Sequence, residues 1–395
     1  MASFSVDFLG CKVSYTDAQA VRERLLAGGL GEDAESAEIA VVNTCCVTHE
    51  AVRKSRKAAR RAASRAERVY VTGCAANLEN AFADLPDNVS VIAERSEQTP
   101  AAIAADAGVL GCTLADHRRE RVRAFLKIQD GCSFSCSFCV VPQVRGPSRS
   151  RVMADVLGEA QRRASEGYRE IVLSGINLGC YRDRETRSDL AALLRQLASF
   201  EGLDRIRLSS IEVNHLTQEL VDTMRALPKV APHLHVPLQS GDDGVLRDMA
   251  RRYDVATYVE RVGRAEGMNV TTDVIVGFPS EDEPAFERTL AAVAQIGATK
   301  VHVFPYSPRP GTATADADPV PPAIKRERSQ RLRELGAKLA QRRWHEKVGT
   351  HDTVLVDRPG RGYGADYTPW LLDAPVGSFE RVRAARVSDE GVVAA

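Results

Sequence analysis

Short apolar stretches alternate with helical ones along the first third of the chain. The predicted strands cover residues 3–9, 39–43, 69–72 and 89–93. The predicted helices cover residues 16–27, 48–66 and 99–107. Strand–helix alternation of this kind predicts a parallel sheet with helices on its faces. Residues 1–115 are therefore predicted to form an α/β domain with a Rossmann-like or flavodoxin-like sheet.

The same alternation resumes after a charged connector at residues 116–123. The predicted strands cover residues 124–128, 170–173, 205–211, 234–238, 271–276 and 300–304. The predicted helices cover residues 152–166, 188–200, 217–226, 255–265 and 284–295. Six strands with intervening helices predict an open, partial TIM-type barrel over residues 118–340. Functional residues of such barrels follow the C-terminal ends of the strands.

A helix rich in Lys and Arg is predicted from residue 324 to 345, and short strand-like segments follow it at residues 351–357, 363–372 and 379–387. Residues 345–395 are therefore predicted to form a small β-barrel. Tyr363, Tyr367 and Trp370 could stack on RNA bases or belong to the core of this barrel. The segment holds six Lys or Arg and eight Asp or Glu, so it is not predicted to be a basic RNA clamp.

Composition narrows the class of protein. The chain has 395 residues, of which 44% are hydrophobic and 27% charged, which is ordinary for a water-soluble protein. Its formal net charge of zero excludes a strongly basic nucleic-acid binder overall, but leaves room for a local basic patch. There is no run of 18 apolar residues and no signal peptide, so a cytoplasmic protein without membrane spans is expected. Nine cysteines in such a chain indicate thiol or metal chemistry.

One cysteine loop directly follows the first predicted barrel strand. Cys132, Cys136 and Cys139 are spaced four and three residues apart, and Gly131 before them permits a sharp turn. Three thiolates can hold a 4Fe–4S cluster and leave one of its four irons open for a ligand. The alternative is a zinc loop, but zinc requires four ligands and usually takes them from CxxC pairs, which this loop lacks.

A second set of cysteines is distant in sequence. Cys11, Cys45 and Cys74 each follow the end of a predicted strand. The ends of parallel strands meet at one edge of a sheet, so these three thiols are predicted to converge and to hold a second cluster. The alternative is three unrelated buried cysteines. Cys46 could replace Cys45 as a ligand, but it lies one residue further on and is predicted to point elsewhere.

Polar residues and glycines follow the other barrel strands. They include Gly175, Asn177, Ser209, Glu212 and Asp273. Glycine allows a ligand to approach the backbone closely, and Asn, Ser or Glu can bind a ribose or an amino-acid group. Together these residues predict a mouth large enough for a cofactor. His233 and His235 on the fourth strand are predicted to pack in the interior rather than to bind a metal.

Two segments are strongly basic. Residues 53–68 hold eight Lys or Arg and one acid on a predicted helix, and residues 145–151 form a basic loop beyond the cysteine loop. Either segment could bind phosphates, or it could be an ordinary solvated surface.

Several motifs together resemble the methylthiotransferases of the radical S-adenosylmethionine (SAM) superfamily. They are the CxxxCxxC loop, Gly10-Cys11-Lys12-Val13, Asn43-Thr44-Cys45 and Val71-Thr72-Gly73-Cys74. The resemblance spans the chain and implies a methylthiotransferase domain, a radical SAM barrel and a TRAM-like β domain. Further motifs look most like the branch acting on N(6)-threonylcarbamoyladenosine in tRNA: Asp130-Gly131-Cys132, residues 145–151, residues 208–212 and residues 302–307.

The resemblance also implies cofactors and partners. Two 4Fe–4S clusters and SAM are the implied cofactors, with SAM on the cluster of Cys132, Cys136 and Cys139. The implied SAM contacts are Phe138, Gly175, Asn177, Glu212 and Asp273. A tRNA substrate, a flavodoxin or ferredoxin as electron donor, and a monomeric enzyme are expected. The alternatives are methylthiotransferases acting on isopentenyl-adenosine in tRNA or on a ribosomal-protein aspartate, and a non-catalytic Fe–S protein that binds RNA.

Overall fold

A computed structural model describes residues 2–93, 98–109 and 121–395. The chain divides into two compact units. The first comprises the described part of residues 1–119 together with Asp130–Ser148 and Ser307–Ala315. The second comprises the described part of residues 120–129 together with Arg149–Tyr306 and Asp316–Ala395. The predicted connector at 116–123 lies largely outside the described residues, and the predicted domain limits remain predictions.

The first unit is built on a five-stranded parallel sheet, as predicted. Its strands are β1 (Ser3–Phe8), β2 (Gly31–Glu32), β3 (Ile39–Thr44), β4 (Arg68–Gly73) and β5 (Val89–Val91), in the spatial order β2-β1-β3-β4-β5. Its helices are α1 (Lys12–Ala27), α2 (His49–Ala63), α3 (Thr99–Asp106) and the short α4 (Val141–Arg145). Of the strands and α-helices named here, β2 and α4 were not predicted, because neither is long enough to show a hydrophobic period.

Successive residues of the central strand β3 serve two different cores. Val41 packs with Phe4, Leu25 and Ile103 on one face of the sheet. Val42 packs with the alanines of α2 on the other face. Side chains of a strand alternate between faces, so a continuous apolar run signals a strand that is covered on both sides. All six residues of β3 are buried, as this arrangement requires.

The second unit contains six parallel strands in sequence order. They are β6 (Arg123–Lys127), β9 (Glu170–Ser174), β10 (Arg205–Leu208), β11 (His233–His235), β12 (Asn269–Val276) and β13 (Lys300–Pro305). They form two three-stranded sheets, and isolated bridges such as Ser210 to His235 connect the two along β10 and β11. The short pair β7 (Gln129–Asp130) and β8 (Arg149–Ser150) lies between β6 and β9 in sequence. The result is the predicted open, partial barrel.

Helices separate the barrel strands along the chain. They are α5 (Met153–Ser165), α6 (Leu190–Ala198), α7 (Gln218–Ala226), α8 (Asp243–Asp248), α9 (Val255–Gly263) and α10 (Glu283–Gln295). Most begin at a side chain that caps the first turn, such as Asp189, Thr217 and Asp282, each accepting a backbone N–H. No helix among the described residues is long and apolar enough to cross a membrane.

A long helix and a closed barrel complete the second unit. The helix α11 covers Pro322–Glu346. The barrel strands are β14 (His351–Arg358), β15 (Arg361–Tyr363), β16 (Pro369–Leu371), β17 (Phe379–Ser388) and β18 (Gly391–Ala394), closed in the order β14-β15-β16-β18-β17. The predicted small β-barrel is confirmed. Trp370 is fully buried in its core, so this side chain is not available to stack on RNA bases.

Glu170 at the start of β9 is the centre of a buried ionic network. Its carboxylate contacts Arg207 at 2.8 Å, Arg123 at 3.0 Å and Arg205 at 3.3 Å. Burial opposes ionisation, but the three guanidinium groups outweigh it and lower the pKa of Glu170. Arg207 also donates to the carbonyl oxygen of Gly364 at 2.7 Å and stacks over Tyr367. The network therefore joins the open barrel to the C-terminal barrel.

We expect Glu170→Ala to lower the stability of the second unit by about 3–5 kcal/mol, because three buried cations would lose their counter-charge. Thermal and urea denaturation would measure the loss. Glu260→Ala is the control, since Glu260 pairs with Arg264 at 2.9 Å on the exposed surface and should matter by about 1 kcal/mol or less. Equal effects of the two substitutions would contradict a structural role for the network.

Candidate functional site

The three cysteines that follow strands of the first sheet lie at one edge of it, as predicted. Cys11 precedes α1, Cys45 directly follows β3, and Cys74 directly follows β4 and begins a 3₁₀ helix, Cys74–Asn77. Cys45 and Cys74 are buried, whereas Cys11 is exposed. Burial raises the pKa of the Cys45 thiol, and Cys74 and Cys11 are close enough to raise it further. Adjacent parallel strands have thus brought together three thiols from distant positions.

Gly10 makes this edge of the sheet compact. Its φ of +129° is unfavourable for residues with a side chain, and a Cβ at this position would lie 2.7 Å from the Ser14 hydroxyl and 3.3 Å from Cys45 Cβ. A larger residue would therefore clash with Ser14 and Cys45.

Cys46 is fully buried and packs in the same core as Cys74. Its proximity and the charge of Arg145 lower the pKa of Cys74 to about 7, against the effect of burial. The same proximity, together with burial, raises the pKa of Cys46. Cys74 is therefore the more readily ionised thiol of this pair, and the expectation that Cys46 is not a ligand stays a prediction.

Arg145 belongs to the basic loop that was expected either to bind phosphate or to be a solvated surface, but the structure buries its side chain. Its Nε donates to the sulfur of Cys74 at 3.0 Å. The remaining nitrogens donate to Asp17 at 2.8 Å and to Asp130 at 3.0 and 3.2 Å. Burial lowers the pKa of this guanidinium, but Cys74, Asp17 and Asp130 raise it well above its usual value. Arg145 is thus a permanent cation beside a cysteine sulfur, and sequence reasoning missed this because its partners are remote.

Backbone hydrogen bonds hold the loop of Cys132, Cys136 and Cys139 in place. The amide of Cys132 donates to the carbonyl oxygen of Gly146 at 3.0 Å, and that of Cys139 donates to Cys136 at 3.1 Å. Asp130 accepts from the amide of Gly131 at 2.8 Å. Gly131 has a φ of +71°, and a Cβ there would lie 2.2 Å from the Pro147 carbonyl oxygen. The sharp turn before the first cysteine therefore requires glycine.

Both sets of cysteines fit the chemistry of an iron–sulfur cluster. The members of each set are free thiols, and the three in the loop are partly exposed. Three sulfur donors on one loop satisfy three irons of a 4Fe–4S cluster and leave the fourth for another ligand. The Cys11, Cys45 and Cys74 set offers the same number of donors.

The predicted cofactor contacts of the second unit differ in their availability. Asn177 is buried, and its Oδ1 has no hydrogen-bond partner among the described residues. The Ser209 hydroxyl, at the end of the next strand, is also buried without a hydrogen-bond partner among the described residues. Glu212 instead accepts from Asn214 at 2.8 and 3.0 Å and pairs with Arg251 at 3.3 Å. Two unsatisfied polar atoms at neighbouring strand ends fit a polar ligand.

Gly175 allows the Gln129 side chain to approach the backbone closely, and does not leave open space for a ligand at this position. A Cβ there would lie 3.0 Å from the Gln129 Oε1, which accepts from the Asn177 amide at 2.8 Å. Phe138 lies on the cysteine loop of the first unit and is partly exposed.

Asp273 belongs to a small cluster on three neighbouring strands. His235 contacts its carboxylate at 3.1 Å, and the polar atoms of His235, Asp273 and His302 all lie within 4.8 Å of one another. His233 is buried and contacts the Thr271 hydroxyl at 3.1 Å, as its predicted interior position requires. His235 lies within reach of the same hydroxyl at 2.9 Å.

Comparison with known proteins places these residues in a family. Residues 126–293 match the Radical SAM superfamily, and residues 3–94 match the Uncharacterized protein family UPF0004. The threonylcarbamoyladenosine tRNA methylthiotransferase MtaB of Chlamydia pneumoniae is 31% identical over 99% of this chain and 97% of its own length. The tRNA-2-methylthio-N(6)-dimethylallyladenosine synthase of Zymomonas mobilis is 32% identical over 94% of this chain and 91% of its own.

A solved structure has the same fold. The radical S-adenosylmethionine methyltransferase TsrM of Kitasatospora setae aligns with a TM-score of 0.57 at 14% identity, over 80% of this chain and 77% of its own. The fold similarity alone shows a shared architecture, whereas the sequence relatives, which match over nearly the whole chain, show the family. The chain therefore belongs to the methylthiotransferases of the radical SAM superfamily, whose chemistry depends on SAM and 4Fe–4S clusters.

Proposed function

We propose that this enzyme adds a methylthio group to carbon 2 of N(6)-threonylcarbamoyladenosine in tRNA, next to the anticodon on its 3′ side. The observation that carries the proposal is a full-length relative named for threonylcarbamoyladenosine, in a chain with two separate sets of three free cysteines. A relative named for dimethylallyladenosine matches almost as well and favours isopentenyl-adenosine as the second candidate. A ribosomal-protein aspartate is the third candidate substrate, which only the sequence resemblance implies.

We assign one cluster to each set of cysteines. Cys132, Cys136 and Cys139 would hold the cluster that binds SAM, and Cys11, Cys45 and Cys74 would hold the second. When bound, these groups supply a carbon radical able to remove hydrogen from the adenine ring, and sulfur to replace it. Arg145 would favour the ionised form of Cys74 that a cluster requires, because its Nε donates a hydrogen bond to the sulfur. Asp130 orients Arg145 and the amide of Gly131 from the other side.

SAM is expected to contact Phe138, Gly175, Asn177, Glu212 and Asp273. The free Oδ1 of Asn177 is the strongest support, because a buried acceptor without a donor is costly unless a ligand supplies one. Ser209 is a further candidate for the same reason. Glu212 and Asp273 are engaged by Arg251 and His235, so their roles would include holding those side chains.

The partners and the limits of the domains also belong to the proposal. Radical formation consumes one electron, so we propose a flavodoxin or ferredoxin as donor. We propose a monomeric enzyme in the cytoplasm, where tRNA is found. The domains are proposed to span residues 1–115, 118–340 and 345–395, and the two family matches lie within the first two of these ranges.

Substitution of single cysteines separates the two proposed clusters. Cys136→Ala is expected to abolish 5′-deoxyadenosine formation from SAM. Cys45→Ala should retain this cleavage but stop methylthio transfer to tRNA. Mass spectrometry of SAM products and of nucleosides from digested tRNA measures both. The wild type should bind about eight irons per chain and either variant about four.

Cys46→Ala is the matched control for Cys45→Ala, since the two neighbours are both buried. It should keep both clusters and form product. If Cys45→Ala made the methylthio nucleoside and Cys46→Ala did not, the ligand assignment would be reversed. Zinc in place of iron in the wild type would refute the assigned chemistry altogether.

Arg145→Leu is expected to lose iron from the second cluster and to destabilise the first unit by about 3–5 kcal/mol, since Asp17 and Asp130 would remain buried without a cation. Arg145→Lys should fold better, but it lacks the planar guanidinium that reaches three acceptors. Iron analysis and electron paramagnetic resonance would measure the result. Arg22→Lys is the control, because Arg22 forms an ion pair with Glu32, at 2.7 Å, and not with a cysteine. Unchanged iron and spectra in Arg145→Lys would argue against contact with a cluster ligand.

A further inference from the structure

A groove in the first unit has no part in the chemistry described above. Its cavity has a volume of about 890 Å³. Its lining includes cationic residues of α2, and Leu78 and Ala81 after the 3₁₀ helix. The segment Arg309 to Gly311 and Gln143 complete the lining. All these residues belong to the first unit.

The segment Arg309 to Gly311 is a tight turn. Gly311 has a φ of +77°, and a Cβ there would lie 2.6 Å from the Gln143 Oε1. The amide of Thr312 donates to the Arg309 carbonyl oxygen at 3.2 Å and closes the turn. Gln143 also donates to the carbonyl oxygen of Gly311. This part of the lining is therefore held by backbone hydrogen bonds and by a glycine, whereas α2 contributes charged side chains.

Helix α2 presents a row of cations to this groove. Arg53, Arg56, Lys57 and Arg60 recur at intervals of three, one and three residues, which places them on one face of the helix. Among the described residues, Glu79 is the only carboxylate that lines the groove. The row extends along about 10 Å of helix, the axial length of about three nucleotides in a duplex strand.

The four cations are not equally available. Arg53 pairs with Glu50 at 2.7 Å, and Arg56 pairs with Asp84 at 3.2 Å. Lys57 and Arg60 are exposed, and their side chains make no ion pair or hydrogen bond with other described residues. In a helix stabilised by its own surface charges, acidic residues would lie three or four positions from Lys57 and from Arg60. No acidic residue does so, and the repulsion between these cations is left uncompensated, as expected where an external anion supplies the counter-charge.

The charged part of the lining suits an extended polyanion. Arg53, Lys57 and Arg60 are long, exposed side chains on one helix face, and such side chains can follow a phosphate backbone. Apolar side chains in the same lining offer contact to sugars.

We infer that this groove binds the phosphate backbone of the tRNA substrate, with Lys57 and Arg60 as the principal contacts. The inference rests on the proposed function for the identity of the RNA. It assigns substrate affinity to the first unit, whereas the C-terminal barrel carries more acids than bases from residue 345 onward.

Binding of a fluorescently labelled tRNA by the full-length, cluster-loaded enzyme tests the inference. We expect K57A/R60A to weaken binding about tenfold at about 0.1 M salt. The slope of log affinity against log salt should fall by about two, because each of the two side chains would neutralise one phosphate. Iron content and the thermal unfolding midpoint should match the wild type, because both residues are exposed.

R333A/K338A is the matched control. Arg333 and Lys338 are exposed on α11, and their side chains also lack ion pairs with described residues. This variant removes the same charge and should bind tRNA nearly as the wild type does. Equal weakening of tRNA binding in both variants would show a general charge effect and overturn the inference.

Two further outcomes would also be decisive. Wild-type affinity and salt slope in K57A/R60A would overturn the inference while the proposed function stands. Pyrophosphate binding that disappears in K57A/R60A, with tRNA binding intact, would make the groove a small-anion site and overturn it too. No tRNA binding by the wild type would refute the proposed function itself.

Discussion

The buried guanidinium of Arg145 is the interaction on which the first unit depends. It contacts a cysteine at the end of β4, a carboxylate on α1 and a carboxylate directly before the CxxxCxxC loop. Burying any of these charges alone would cost several kcal/mol, so each is stable only with the others in place. One cation thereby couples the folding of the sheet edge to the position of the cysteine loop.

The second unit depends on the opposite arrangement, one carboxylate among several cations. The Glu170 carboxylate neutralises the guanidinium groups of Arg123, Arg205 and Arg207. Arg205 and Arg207 also donate hydrogen bonds to backbone carbonyl oxygens of the C-terminal barrel. Tyr363 and Tyr367 lie against the same guanidinium groups. Aromatic residues that resemble base-stacking groups in the sequence therefore contribute to the joint between two barrels. Asn177 Oδ1 and the Ser209 hydroxyl, which follow the ends of two neighbouring barrel strands, are buried without a hydrogen-bond partner among the described residues.

Local patterns predicted most of the elements because their periods are strong. The apolar run of β3 and the strand–helix alternation predicted the sheet, the partial barrel and the strand-end positions of all six cysteines proposed as ligands. Elements too short to show a period, such as β2, α4 and β18, were missed. The packing of Cys46 in the same core as Cys74 was also missed, because the two residues follow different strands and are far apart in sequence.

By itself the sequence determined which residue types were available and at what spacing: two sets of three thiols, glycines at the sharp turns and a basic helix. These follow from covalent order and from local hydrophobic periods, which act over a few residues. Only the tertiary structure decided that Arg145 is a buried partner of Cys74 rather than a phosphate ligand, and that Lys57 and Arg60 remain without counter-charges among the described residues. The physical reason is that the energy of a charge depends on its burial and its neighbours, and those neighbours come from distant parts of the chain.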